Sequence, residues 1–157
     1  MTLFSLSLPT ENAAQEAGAA LSPFFRCGDV LTLSGPLGAG KTTFARAIIK
    51  ALCGAADIPS PTYTLVEIYD APDFALWHFD LYRLEKPDDI WELGFEDCLE
   101  TGMAIIEWPE RAAGLLPAQR LDFSFAMTAP ARTLSAVGDE AWAARLAPFA
   151  ADRTKTQ

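Results

Sequence analysis

The segment "GPLGAGKT", Gly35 to Thr42, constrains this chain more than any other. It fits G-x-x-x-x-G-K-[ST], follows the apolar run "VLTLS" (Val30 to Ser34) and opens the run "KTTFARAIIKAL". At this spacing bare backbone can wrap a polyphosphate closely enough for several N–H groups to donate to its oxygens; side chains would obstruct that. Gly38 and Gly40 leave room and permit unusual dihedrals, Lys41 brings positive charge to the outer phosphates, and Thr42 offers a hydroxyl to Mg2+. A helix expected from about Lys41 to Leu52 adds its dipole and unpaired N–H groups. Its apolar positions Phe44, Ile48, Ile49 and Leu52 share one side, and Gly54 is a natural stop. The pattern arises by chance in roughly one in 200 chains this long. A strand before it and an amphipathic helix after it make a phosphate loop the stronger reading.

The rest of the chain supplies a sheet for that loop. Leu3 to Leu8 alternates as a strand, Pro9 closes it, and Thr10 is placed to cap a helix through "ENAAQEAGAALSPF", with Glu11 in its first turn. "TLVEIYD" (Thr64 to Asp70) and "FALWHFD" (Phe74 to Asp80) flank "APD" as a β-hairpin. "PDDIWELGFEDCLE" reads as short helices, with Pro87 at a start and Gly94 as a break. "MAIIE", Met103 to Glu107, has the pattern of a buried central strand. A short helix at "PERAAGLL", strands at "LDFSFAM" and "RTLSAV", and a final helix near "DEAWAARLAPFA" follow. Strands mixed with helices predict a three-layer α/β domain with a mixed central sheet containing the hairpin. With 157 residues, half of them apolar, a single domain over 1–157 is expected.

Charge limits the partners. The net charge is −9, and from Pro61 to Glu110 there are 13 acidic and 2 basic residues, a local −11 that leaves +2 elsewhere. Such a surface repels phosphate backbones, so direct binding to RNA or DNA through it is disfavoured. It is either a solvated face or a docking face for a basic partner. Cys27, Cys53 and Cys98 are widely spaced and suggest neither a disulfide framework nor a zinc site. The absence of an 18-residue apolar run and of a basic N-terminal start leads to an expected cytoplasmic location.

Hydrolysis would also need a carboxylate near the metal, and two candidates end apolar strands, Asp80 and Glu107. Mg2+ takes one or two carboxylates beside phosphate oxygens and water. Glu107, on the more continuously apolar strand, is given the metal. Asp80 either orients the attacking water or forms a structural salt bridge with Arg83. His78 is read as a satisfied structural group and Trp108 as a packing residue. Trp77, Phe79, Tyr82 and Trp91 are read as core or partner surface.

Taken in order, "GPLGAGKTT", "SPTYTLVEIYD", "HFDLYRL" and "IEWPER" resemble the TsaE family of bacterial ATPases that support threonylcarbamoyladenosine synthesis on tRNA. The similarity runs from Thr10 to "ARTLSAVG", and "SPTYTLV" and "HFDLYRL" discriminate far better than the phosphate loop. The resemblance implies a P-loop NTPase-like fold and ATP with Mg2+ as cofactors. It makes "SPTYTLV" a switch-like loop near the γ-phosphate. Gly38, Ala39, Gly40, Lys41, Thr42 and Thr43 would contact the nucleotide, with Thr10 and Arg132 approaching from outside the loop. Thr42 and Glu107 would hold the metal, and Asp80 would join Glu107 and Lys41 in turnover. The implied partners are TsaB and TsaD, with tRNA reached only through them and no membrane involved. The chain departs from the family pattern at Arg46–Ala47, where Arg-Gly is usual. Alanine suits a helix better, so the departure bears on local packing or docking. A GTPase is disfavoured because the single asparagine, Asn12, lies outside any N-K-x-D context. A small-molecule kinase and a nucleotide-gated binding module without significant turnover stay open as alternatives.

Overall fold

The computed structural model describes residues 1–54, 58, 64–112, 114–128 and 131–155. The strands are β1 (Thr2–Leu8), β2 (Val30–Ser34), β3 (Val66–Asp70), β4 (Ala75–Asp80), β5 (Gly102–Glu107), β6 (Leu121–Thr128) and β7 (Ala131–Val137). The α-helices are α1 (Glu11–Leu21), α2 (Lys41–Cys53), α3 (Phe95–Thr101) and α4 (Glu140–Lys155). One seven-stranded mixed sheet has the order β1-β7-β6-β2-β5-β4-β3. At its centre β2 runs parallel to both β5 and β6, and β4 runs parallel to β5. All six residues of β5 are buried, which is why "MAIIE" is apolar throughout instead of alternating.

Side-chain alternation divides the core between the two faces of the sheet. Leu31 and Leu33 of β2, Ile105 of β5 and Phe123 of β6 pack with α1, α2 and α4, where Phe44 meets Phe123 and Phe125 edge-on. Phe79, Ala104 and Ile106 point the other way, onto Ile90, Phe95 and Cys98. This second layer is built from α3 and two short 3-10 segments, Pro87–Leu93 and Pro109–Ala112. The architecture is the expected three-layer α/β arrangement with a hairpin, β3 pairing antiparallel with β4.

Local chemistry sets the element ends. Thr10 caps α1 by accepting from the Ala13 N–H at 3.0 Å. Gly54 ends α2 in the left-handed region at φ 68°, donating to Lys50 O at 2.9 Å. The first hairpin strand starts at Val66 and not at Thr64, because Leu65 sits at φ 68°; its carbonyl instead accepts from the Asp80 N–H at 3.0 Å. The expected helix at "PERAAGLL" is shorter, a 3-10 turn over Pro109–Ala112. Of the "SPTYTLV" segment, Ser60 to Tyr63 lie outside the described residues.

Candidate functional site

The parallel core of the sheet delivers the candidate groups to one end. Asp80 and Glu107 close β4 and β5 and are direct register partners, so the two carboxylates sit side by side at the carboxyl ends of adjacent strands. The phosphate loop leaves β2 next to them. Gly38 and Gly40 adopt φ 78° and 100°, which an L-residue enters only with strain, and Gly40 leads directly into α2. At Gly35 (φ 139°) an added Cβ would lie 2.5 Å from Phe125 O, so this position also requires glycine for space.

A cavity of about 360 Å³ opens over this end, within the range of small-molecule sites. Gly38, Gly40, Lys41, Thr42, Thr43, Asp80, Glu107 and Arg132 all line it, together with Glu11, Leu37 and Trp108. Ala39 is fully buried beneath the loop. Arg132 comes from β7, and its Nη1 lies 3.4 Å from where a Gly40 Cβ would stand. The Thr10 hydroxyl accepts from the Ala13 N–H at the cap of α1, and the neighbouring Glu11 lines the cavity, accepting from Thr43 Oγ1 at 3.5 Å. Asp80 is buried and accepts from the Tyr82 N–H at 3.1 Å.

Lys41 is only 5% exposed. Its Nζ donates to Gly35 O at 2.6 Å and lies 3.4 Å from the centroid of the Trp108 ring. Burial pulls the ammonium below its ordinary pKa of 10.5, while the charges of Glu107, Glu110 and Asp80 act in the opposite direction. The indole is aimed at Lys41 by a left-handed backbone at Trp108, φ 60°, a conformation costing a non-glycine residue about 1–3 kcal/mol.

Glu107 is engaged through both oxygens. Oε1 accepts from Thr42 Oγ1 at 2.8 Å, and Oε2 lies 2.7 Å from Nε2 of the fully buried His78. The Thr42 hydroxyl and the Glu107 carboxylate are hard oxygen donors of the type magnesium takes, and Asp80 shares their cavity. Among the described residues no three His, Cys, Asp or Glu side chains gather into an all-protein metal cage. The donor set therefore fits an ion that draws the rest of its shell from phosphate oxygens and water, as magnesium does beside a nucleotide.

Two contributors escape a reading of the sequence alone. His78 shares a sheet face with Asp80 by the period-two rule, so its proximity to the site was encoded, but its partner on β5 was not. The turn that aims Trp108 at Lys41 has no sequence signal beyond the Pro at 109. A second concavity of about 470 Å³ lies on the opposite sheet face, where Thr32 and Arg120 both donate to Asp122.

A glycine-rich turn between a central parallel strand and a helix, with two strand-end carboxylates beside it, defines a P-loop NTPase-like protein. The crystal structure of Bacillus subtilus YdiB shares this fold, with a TM-score of 0.77 over 98% of each chain at 24% identity. The family model "Threonylcarbamoyl adenosine biosynthesis protein TsaE" matches residues 8–134, and the chain belongs to the TsaE family. The tRNA threonylcarbamoyladenosine biosynthesis protein TsaE of Rickettsia conorii is 42% identical over 111 residues, covering 70% of this chain and 63% of that protein. The protein of the same description from Rickettsia typhi is 44% identical over 108 residues, covering 68% and 72%. That from Bacillus subtilis is 38% identical over 99 residues, covering 62% and 61%.

Proposed function

We propose that this chain binds ATP with Mg2+ at the cavity around Lys41 and hydrolyses it to support threonylcarbamoyladenosine modification of tRNA. It would do so in the cytoplasm, acting on a complex of TsaB and TsaD to allow repeated turnover. The observation that carries the reading is the convergence of Lys41, Thr42, Asp80 and Glu107 on one cavity at the carboxyl ends of β2, β4 and β5. The family membership supports the pathway, and the fold supports the nucleotide.

In this reading the N–H groups of residues 38–43 and the start of α2 hold the phosphates. Lys41 leaves the Gly35 carbonyl to neutralise the outer phosphates, and Arg132 adds charge from β7. Thr42 and Glu107 would hold the metal, which would supply positive charge to offset that of the phosphates. Asp80 orients the attacking water and accepts its hydrogen bond. Gly38 and Gly40 keep side chains out of the phosphate path. The acidic segment docks the partners, and tRNA is reached through them.

The test measures phosphate release from ATP by the purified protein, alone and with TsaB and TsaD, alongside tRNA modification. The expected result is free phosphate without a phosphorylated metabolite, multiple-turnover modification with wild type, and loss of cycling with Lys41→Ala or Glu107→Ala. Normal cycling with either variant rejects the reading.

A further inference from the structure

His78 lies deeper than the groups just assigned, with none of its surface exposed. On β4 it occupies the position two before Asp80, so it shares the site's face of the sheet and stands directly behind the carboxylate pair. Its Nε2 is 2.7 Å from Glu107 Oε2, while Thr42 donates to the other oxygen at 2.8 Å. Nδ1 is buried and has no hydrogen-bond partner among the described residues.

These facts define the proton arrangement. An ionised carboxylate only accepts, so the hydrogen bond to Glu107 requires the proton on Nε2. The opposite arrangement, a protonated Glu107 donating to Nε2, would place the ring proton on Nδ1 and leave a buried donor unpaired, which is rarer and costlier than an unpaired acceptor. With the proton on Nε2, the imidazole is a fixed donor to the rear oxygen of Glu107. Both oxygens are then tied, and the carboxyl plane cannot rotate freely about its terminal bond.

We propose that His78 is a positioning residue whose Nε2–H orients the Glu107 carboxylate so that Oε1 faces Thr42 and the metal. The inference rests on the reading of Glu107 and Thr42 as the magnesium-holding pair. Hydrogen bonds behind a ligating group fix its orientation, and their loss typically weakens metal affinity by about 10–100-fold.

The test compares wild type, His78→Phe, His78→Gln, Glu107→Gln and the double variant His78→Phe/Glu107→Gln. Affinity for ADP is measured by calorimetry with Mg2+ and with chelator, and folding of each variant is checked by circular dichroism. The readout is the factor by which Mg2+ tightens ADP binding, which a merely structural role would not move selectively. Wild type is expected to show tightening, and His78→Phe to reduce it by about tenfold or more with metal-free affinity within about twofold. His78→Gln, which keeps an N–H donor, is expected to recover part of the tightening. The double variant should match Glu107→Gln alone. A tightening unchanged in His78→Phe, a parallel loss of metal-free and metal-linked affinity, or no recovery by glutamine overturns the inference. Should His78→Phe not fold, the glutamine variant decides: tightening lost despite its donor overturns the role. No Mg2+ effect even in wild type overturns the reading of the Glu107–Thr42 pair and this inference with it.

Discussion

Lys41 resolves a conflict between charge and burial. The ammonium is nearly enclosed, yet two of the acidic groups that favour its charge, Glu107 and Asp80, are themselves buried in the same cavity. The loop's own Gly35 carbonyl and the Trp108 ring hold it in place. Burial leaves its pKa below 10.5, so as the pH rises the free protein loses this proton earlier than an exposed lysine would. A bound triphosphate favours the charged form. Binding must then take up a proton at alkaline pH, and affinity must fall as pH climbs through the free-protein pKa. Titrations in two buffers of different ionisation heat are expected to show proton uptake on ATP binding that grows as the pH is raised. Lys41→Arg abolishes the uptake, because guanidinium keeps its charge throughout. A buffer-independent heat in wild type at alkaline pH would contradict the assignment. The same shift has a defined effect on folding: between the folded pKa and 10.5 the unfolded chain binds more protons at this site, so its contribution to stability rises with pH there.

At the scale of elements, the contact between α1 and α2 sets what Ala47 packs against. A Cβ built on Gly18 of α1 would stand 2.9 Å from the Ala47 Cβ and 2.9 Å from Phe44 O. The glycine thus lies opposite the alanine, and close approach of the two helices is kept by placing the missing side chain on α1. Gly18→Ala is expected to destabilise by about 1–3 kcal/mol through overpacking, despite the better helix propensity of alanine. Ala47→Gly alone costs about 1 kcal/mol from propensity. The double variant should lose less than the sum of the two, with rescue incomplete because the Phe44 carbonyl stays in the way. Chemical denaturation of the four proteins checks this, and strict additivity would rule out the contact. The same contact shows how far the sequence could be read. Periodicity located the elements of the sheet and its helices, because strand alternation, an apolar run, a cap and a left-handed glycine are local signals. Which helix faces which, that Asp80 and Glu107 share a register, and that His78 reaches Glu107 are non-local. They follow from strand order, which no period encodes. Leu65 and Trp108 were missed for a different reason: their left-handed backbones are imposed by tertiary hydrogen bonds, not by residue type.

For the whole molecule, six of the 13 acidic residues between Pro61 and Glu110, and neither of the two basic ones, fall on the 3-10 segment Pro87–Leu93 and α3. Asp88 and Glu92 on the 3-10 segment Pro87–Leu93, and Glu96, Asp97 and Glu100 on α3, are all exposed, and Trp91 on the same 3-10 segment is 41% exposed and packed against Phe95 of α3 at 5.5 Å. This layer covers the sheet face opposite α2, so its charges can be altered without touching the helix that follows the phosphate loop. An acidic layer that also exposes a tryptophan suits a basic protein partner better than a polyanion, since electrostatic complementarity steers encounter and the tryptophan supplies contact area. Neutralising Glu92, Glu96 and Asp97 to their amides is therefore expected to slow association with the partner proteins by several-fold to about tenfold at low salt, flatten the salt dependence of that rate, and leave ATP affinity unchanged. Stopped-flow association at two ionic strengths, paired with calorimetry for ATP, separates the effects. If the amide variant associates as fast as wild type at low salt, the acidic layer is a solvated face and docking must be sought nearer the cavity, where Leu37 and Tyr82 are exposed. A variant that loses ATP affinity as well would instead couple this layer to the nucleotide through β4 and β5, the strands that α3 packs against and that end in Asp80 and Glu107.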